Sequence, residues 1–188
     1  SAKLEHLAHH DGLTGLVNYG YLTRLLDHAL IRAGRRDDTV VVMFFDLDGF
    51  KAVNDTHGHG AGDIVLQEVA RRVQSRLRKE DVLARLGGDE FVIMLEQVNS
   101  PEAARRIAQL TLDAVKSIDE ADGKPVSISA SIGISSAHGR AGAQRGAAAL
   151  LADADAAMYA TKQAGKSGYT VSAGARWPDS PVLESVAH

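Results

Sequence analysis

The sequence predicts an α/β domain in which helices flank a mixed central β-sheet, and three observations carry that reading. Apolar residues at helical spacing alternate along the chain with short β-branched runs, so helices and strands interleave. Two of the strand runs, 82–86 and 91–95, are separated only by Gly87-Gly88-Asp89-Glu90, a hairpin with a four-residue loop, so the sheet is not purely parallel. No glycine-rich turn follows the first strand, which together with the hairpin disfavours a doubly wound dinucleotide-binding fold.

The elements follow in order. From Asn18, Leu22, Leu25, Leu26, Ala29, Leu30 and Ala33 recur at helical spacing, and the helix is expected to stop at Gly34. Residues 40–45 form a continuous apolar run, a strand buried on both faces that ends in Asp46-Leu47-Asp48-Gly49. Leu66, Val69, Val73 and Leu77 mark a second helix whose last turn is expected to carry Arg72, Arg76 and Arg78. Ser100-Pro101-Glu102 reads as a capped helix start, followed by the stripe Ile107, Leu110, Ala114 and Ile118. Val126, Ile128, Ala130, Ile132 and Ile134 alternate with small residues, a strand whose second face leaves room for a close neighbour. A last helix is expected over 147–164, with Gly165 as its C-terminal cap and a short edge strand at 169–171.

The chain has 188 residues, 45% hydrophobic and 24% charged, which suits one globular core and excludes a disordered or fibrous protein. A formal net charge of −3 offers no general attraction to nucleic acid or anionic membrane, so a polyanionic ligand needs a local basic cluster or a metal. Without cysteine there is no disulfide, thiolate metal site or cysteine nucleophile. No apolar run nears the roughly 20 residues that span a bilayer, and the N-terminus lacks a signal-peptide layout; a cytoplasmic domain is expected. Residues 1–10, with Leu4 and Leu7, read as the end of an incoming signalling helix, 11–171 as the domain, and 172–188 as linker or disorder.

Two acidic corners carry the chemistry. Asp46 and Asp48 leave the buried strand and are expected to point to opposite faces, so at most one of them serves a site there. Asp89 and Glu90 sit in the hairpin loop behind two glycines that let a ligand approach the backbone. If the hairpin neighbours the first strand, Asp46 and Asp89 converge, and two carboxylates with a main-chain carbonyl and substrate phosphates suit Mg²⁺. Between these corners, residues 50–63 are densely polar. His57 and His59 are not expected to hold a metal, because such pairs without cysteine are common in turns. Asn54 and Asp63 offer an amide and a carboxylate that match the donor edge of guanine, which adenine lacks.

Taken together, Phe45-Asp46-x-Asp48-x-Phe50-Lys51-x-x-Asn54-Asp55, Gly58-His59-x-x-Gly62-Asp63 and Arg85-x-Gly87-Gly88-Asp89-Glu90-Phe91 resemble the GGDEF family of diguanylate cyclases. The likeness begins at Asp11-x-Leu13-Thr14-Gly15-Leu16-x-Asn18 and passes through Ser131-Ile132-Gly133-Ile134. It ends at Ala154-Asp155-x-Ala157-Met158-Tyr159-x-x-Lys162-x-x-Gly165. The resemblance implies a palm-like nucleotidyl cyclase fold that joins two GTP into cyclic di-GMP and pyrophosphate, with Mg²⁺ or Mn²⁺ as cofactor. It implies Asp46, the Leu47 carbonyl and Asp89 as metal ligands, Asp89 also as proton acceptor, and Glu90 as an assisting catalytic acid. Gly49, Phe50, Lys51, Asn54, His59, Asp63, Gly87, Gly88, Lys162 and Lys166 match substrate positions, and Arg78 and Asp81 match an inhibitory product site. One domain presents one GTP, so a homodimer is implied, with a sensory domain upstream in the parent chain and no nucleic-acid partner. A non-catalytic cyclic di-GMP receptor and a GTP-sensing module are the alternatives. Two departures stand out: Tyr19-Gly20 replaces a basic pair after Asn18, and Lys166-Ser167 replaces Arg-Asn, a point charge in place of a fork.

Overall fold

In a computed structural model describing residues 1–179, the chain runs through α1 (Ala2–His9), α2 (Tyr19–Arg36), β1 (Thr39–Asp48), α3 (Phe50–His57) and α4 (His59–Gln74). β2 (Val82–Gly87), β3 (Glu90–Glu96), α5 (Pro101–Lys116), β4 (Glu120–Ala121) and β5 (Lys124–Pro125) follow. β6 (Ser129–His138), α6 (Gly139–Gln163) and β7 (Gly168–Val171) complete it. The main sheet has the order β2-β3-β1-β6-β7, antiparallel except for the parallel β6–β7 pair, and β4 and β5 form a separate ribbon. This is the mixed sheet flanked by helices that the sequence predicts.

Strand β1 is central and buried along its whole length, and its two faces feed two cores. Val41, Met43, Phe45 and Leu47 pack with the apolar faces of α4 and α5, and the Phe45 and Phe91 rings stack 5.1 Å apart. Val40, Val42 and Phe44 pack with Leu22, Leu26 and Leu30 of α2 and Leu150, Ala154 and Met158 of α6. Gly133 explains how α6 lies so close to the sheet: a Cβ there would fall 2.0 Å from the Ala154 carbonyl oxygen, so the helix backbone rests directly on the strand.

Several boundaries differ from the sequence reading, each for a physical reason. Helix α2 passes through Gly34 and ends at Arg36, capped by Asp37 (φ 54°); Gly34 is a packing residue, since a Cβ there would meet Ala143 at 3.2 Å. Helix α4 ends at Gln74, so Arg76 and Arg78 lie beyond it in a turn rather than in its last turn. The run 50–57 is itself helical, and the hairpin loop is tighter than expected because Gly87 pairs with Glu90 after a bulge beyond Arg85. Helix α6 begins early, at Gly139, and is broken at Gly146 (φ 82°), where the expected helix takes over. Ser172–176 continues along β6, with Ser172 N–H on the Ile134 carbonyl and Ser136 Oγ on the Arg176 carbonyl, so this part of the tail is docked rather than loose; residues 180–188 lie outside the described residues.

Candidate active site

Strand β1 pairs with β3 so that Asp46 sits opposite Glu90, and Asp89 follows at the hairpin tip. The strand and the hairpin therefore bring the two acidic corners together. Asp46 and Asp48, two residues apart on an extended strand, share the face covered by α6 rather than diverging. What separates them is bonding. The Asp48 carboxylate accepts from Ser129 Oγ (3.0 Å), Ser131 Oγ (2.8 Å) and the Ser167 N–H (3.1 Å). Asp46 accepts only from Lys162 Nζ, at 2.7 Å, through Oδ2, and its buried Oδ1 has no partner.

Charge follows from this crowding. Burial pushes the Asp46 carboxyl above its usual range; Lys162 opposes the shift, while Asp89 and Asp48 add to it. Burial also raises Glu90, helped by Asp155, Asp89 and Asp46. Burial would lower Lys162, but the attraction of Asp46, Asp48 and Asp89 outweighs it and holds the ammonium above its ordinary value. Asp46, Asp48 and Asp89 all act on Lys162, the lysine that is paired to Asp46, and a cation would relieve the remaining repulsion among the acids. Among the described residues no three His, Asp or Glu side chains form a ready cage. Two carboxylates and a carbonyl that leave positions for substrate oxygens fit Mg²⁺ better than a closed cage would, and the partnerless Asp46 Oδ1 supplies a free ligand atom.

Beside the acids opens a cavity of about 460 Å³ lined by Leu47, Asp48, Gly49, Phe50, Lys51, Ala52, Asp55, Asp89, Lys162 and Lys166. Gly49, with φ 85°, turns the chain from β1 into α3, and a Cβ there would sit 2.9 Å from the Ser127 carbonyl oxygen. Helices α3 and α4 meet at Gly58 (φ 87°), and the turn lays α4 against α3. Gly62 leaves room for Asn54: a Cβ there would overlap Asn54 Oδ1, at 1.9 Å. Asn54 Oδ1 is buried and also partnerless, and Asp63 follows Gly62 with an exposed carboxylate. His59 is exposed at the start of α4, while His57 Nε2 bonds the Pro125 carbonyl at 2.9 Å, a structural contact.

The hairpin tip is held from below. Arg85 Nε donates to the Gly88 carbonyl at 3.0 Å, and its Nη1 reaches both Asp11 oxygens at 2.9 and 3.1 Å. Thr14 donates to Asp11 through N–H and Oγ, and these bonds with Arg85 outweigh the upward push of burial, holding the Asp11 carboxyl below its usual range. The 11–17 turn is pinned to β2 by the Arg85 N–H on the Val17 carbonyl at 3.0 Å.

The model of the diguanylate cyclase GGDEF domain matches residues 8–168. The chain belongs to the GGDEF family. It is 43% identical over 164 residues to the diguanylate cyclase TpbB of Pseudomonas aeruginosa, covering 87% of this chain and 37% of that protein. It is 42% identical over 167 residues to the bifunctional diguanylate cyclase/cyclic di-GMP phosphodiesterase MucR of the same organism, covering 89% and 24%. The chain therefore spans well under half the length of these relatives. The solved GGDEF domain of TpbB superposes with a TM-score of 0.80 at 39% identity, covering 88% of this chain and 95% of that one. The coiled coil and GGDEF domain of DgcB from Caulobacter crescentus, solved in complex with c-di-GMP, gives 0.82 at 26% identity, covering 91% and 89%.

In this GGDEF domain Arg78 and Asp81 sit in the turn after α4, away from the hairpin tip. Arg78 forks onto Asp81 (Nη2–Oδ1 3.0 Å) and donates to the Glu96 carbonyl at 3.0 Å, while Asp81 caps the Arg78 N–H at 2.7 Å. Two residues had no role assigned from sequence. Asp155 acts electrostatically on Glu90, and its spacing of seven from Lys162, two helical turns, was the available signal. Asp48 has no signal in its own stretch of sequence, and only the serines of a distant strand show its use.

Proposed function

We propose that the chain is the catalytic domain of a diguanylate cyclase, joining two GTP into cyclic di-GMP with release of pyrophosphate. The observation that carries this is the buried, partnerless Asp46 Oδ1: its carboxylate feels the charge of Asp89 and is paired to Lys162, and both of those line a cavity with Lys51 and Lys166. Asp46, the Leu47 carbonyl and Asp89 are the groups that would hold a divalent ion, Mg²⁺ or Mn²⁺, which when bound stabilises charge developing on the phosphoryl oxygens. The lysines and the backbone around Gly49 and Phe50 grip the triphosphate. Asn54 and Asp63 read guanine: its N1–H and N2–H₂ donors match the Asp63 carboxylate and the buried, partnerless Asn54 oxygen, and adenine lacks that donor pair. Gly87 and Gly88 leave the tip open to the nucleotide. Asp89 takes the proton of the attacking ribose hydroxyl, and Glu90, kept more basic than usual by burial, stands ready to assist.

One cavity of this kind holds one GTP, so the second comes from a partner copy, and the active species is a homodimer. Arg78 and Asp81 form the inhibitory product site: Arg78 is about half exposed and free to exchange its Asp81 fork for a guanine edge. Leu4 and Leu7, exposed on α1, support this helix as a connector to a sensory segment. No helix among the described residues is long and apolar enough to cross a membrane. Incubating the protein with GTP and Mg²⁺ over a range of protein concentrations tests the proposal. Cyclic di-GMP should form with a rate per chain that rises with concentration, ATP should give no product, and Asp89→Ala should give none. Undiminished turnover by Asp89→Ala rejects the assignment.

A further inference from the structure

We infer that Asp48 is a positioning residue that fixes Lys166 for the triphosphate, although its own charge works against a polyanion. The inference rests on the GTP-site reading above. Asp48 is 8% exposed and sits on the central strand, where a carboxylate with no role would be costly. It has instead been given donors from two further stretches of chain: Ser129 and Ser131 on β6, and the Ser167 N–H in the turn from α6 to β7. The last of these bonds reaches 119 positions along the sequence.

That turn needs holding. Gly165, Lys166 and Ser167 run consecutively with φ of 115°, 65° and 49°, and the two non-glycine residues there lie in a region that side chains rarely adopt. Such a backbone persists only where its surroundings over-determine it. The Ser167 N–H bond to Asp48 is one such restraint, and the Lys166 N–H on the Thr161 carbonyl at 3.0 Å is another. Lys166, between these two points, lines the same cavity as Lys162 and Asp89. Lysine is a flexible point charge rather than a fork, so the position of its backbone decides where the charge can reach. Asp48 borders the cavity too, but its carboxylate oxygens are taken up by Ser129, Ser131 and Ser167, so its bonds serve the turn that carries Lys166.

The two possible effects of Asp48 have opposite signs. If its charge merely faced the triphosphate, Asp48→Asn would remove a repulsion and tighten GTP binding. If it positions Lys166, the neutral amide loses a charge-assisted bond and GTP binding weakens. Calorimetry with GTP and GMP as probes, at protein concentrations too low for turnover, separates them. GMP is the control because it lacks the distal phosphates. Asp48→Asn should weaken GTP about tenfold and GMP by less than about twofold. On a Lys166→Ala background, Asp48→Asn should change GTP affinity by less than about twofold, because the group it positions is gone. Should Asp48→Asn fold poorly, Ser129→Ala, which removes one donor from a partly exposed position, carries the same cycle with an expected loss of about threefold. Tighter GTP binding, equal losses for GTP and GMP, or additive effects in the double variant overturn the inference while leaving the GTP site standing. A wild-type chain that binds neither nucleotide overturns both.

Discussion

The tie between Arg85 and Asp11 offers the sharpest link between stability and catalysis, and Arg85→Ala tests it. The side chains are only 12% and 17% exposed, and the pair makes two bonds of 2.9 and 3.1 Å. A fully exposed pair contributes under about 1 kcal/mol and a buried one leaves a penalty of about 3–5 kcal/mol when broken. Asp11 keeps both Thr14 donors and the Gly88 carbonyl can turn to water, so the loss falls between those limits, at about 2 kcal/mol. For a chain of this size that lowers Tm by roughly 4–8 °C. The catalytic effect is expected to exceed the fraction unfolded: the Gly88 carbonyl is released one residue before Asp89, and a misplacement of about 1 Å costs up to about a hundredfold in kcat. Arg85→Lys keeps the charge but cannot span Asp11 and Gly88 together, so it should lie between the two. Asp11 has a lowered pKa in the folded state, so its contribution is complete above the unfolded value of 3.8 and disappears as pH falls through the lower folded value. Urea denaturation from pH 7 to 3 should therefore show wild type and Arg85→Ala converging only at the acid end. Unfolding free energies within about 0.5 kcal/mol at pH 7, with wild-type kcat, would show that the pair holds neither the fold nor the hairpin tip.

Three further substitutions test the geometry. Asp46→Asn removes a carboxylate that burial disfavours, so the nucleotide-free protein should lose little or no thermal stability while cyclic di-GMP formation ceases; thermal melts with and without GTP and Mg²⁺ should show ligand stabilisation in wild type alone. Because the folded Asp46 carboxyl titrates above its unfolded value, its ionised form costs stability near neutrality, and that cost is relieved as pH falls through the raised value; the stability of wild type relative to Asp46→Asn should rise on acidification. Gly62→Ala drives a methyl into Asn54 Oδ1, so the amide must turn away; KM for GTP should rise about tenfold or more and selectivity over ATP should fall, with unchanged kinetics counting against the base-reading role. Gly133→Ala has no flexible neighbour to displace, since the Ala154 oxygen and the Met158 nitrogen are backbone at 2.0 and 2.2 Å; α6 must lift, at a cost of about 3 kcal/mol or more by denaturation.

The parts of the fold that were legible in the sequence are those where one short stretch decides the outcome. The run 40–45 could only be a doubly buried strand, Ser100 caps α5 through the Ala103 N–H, and the acids of 46 and 89–90 could be named as corners before their pairing was known. Misreadings arose where a residue answers to a distant partner. Gly34 has the look of a helix stop because its neighbour Ala143 is more than a hundred positions away, and the docking of 172–176 depends on the stretch of β6 that continues past its pairing with β7. Asp48 belongs to the same class: its neighbours in sequence say turn, whereas Ser129, Ser131 and Ser167 say anchor.

The positions of the two charged turns constrain how the proposed product site could regulate the chain. Asp81 immediately precedes β2, and Asp89 follows its far end, so six residues of extended strand separate the Arg78 turn from the hairpin tip. At about 3.3 Å per residue that is roughly 20 Å. A cyclic dinucleotide held by Arg78 therefore does not reach the Asp89 corner of the same copy along this strand. Nor is β2–β3 an obvious lever, because its register is locked to β1 through seven paired positions from Val40 to Asp46. Inhibition through Arg78 must then act between copies, by holding two domains where their cavities cannot face each other. On that reading Arg78→Ala should relieve product inhibition while leaving initial rates unchanged, and a mutant that remains fully inhibited by added cyclic di-GMP would remove Arg78 from the regulatory site.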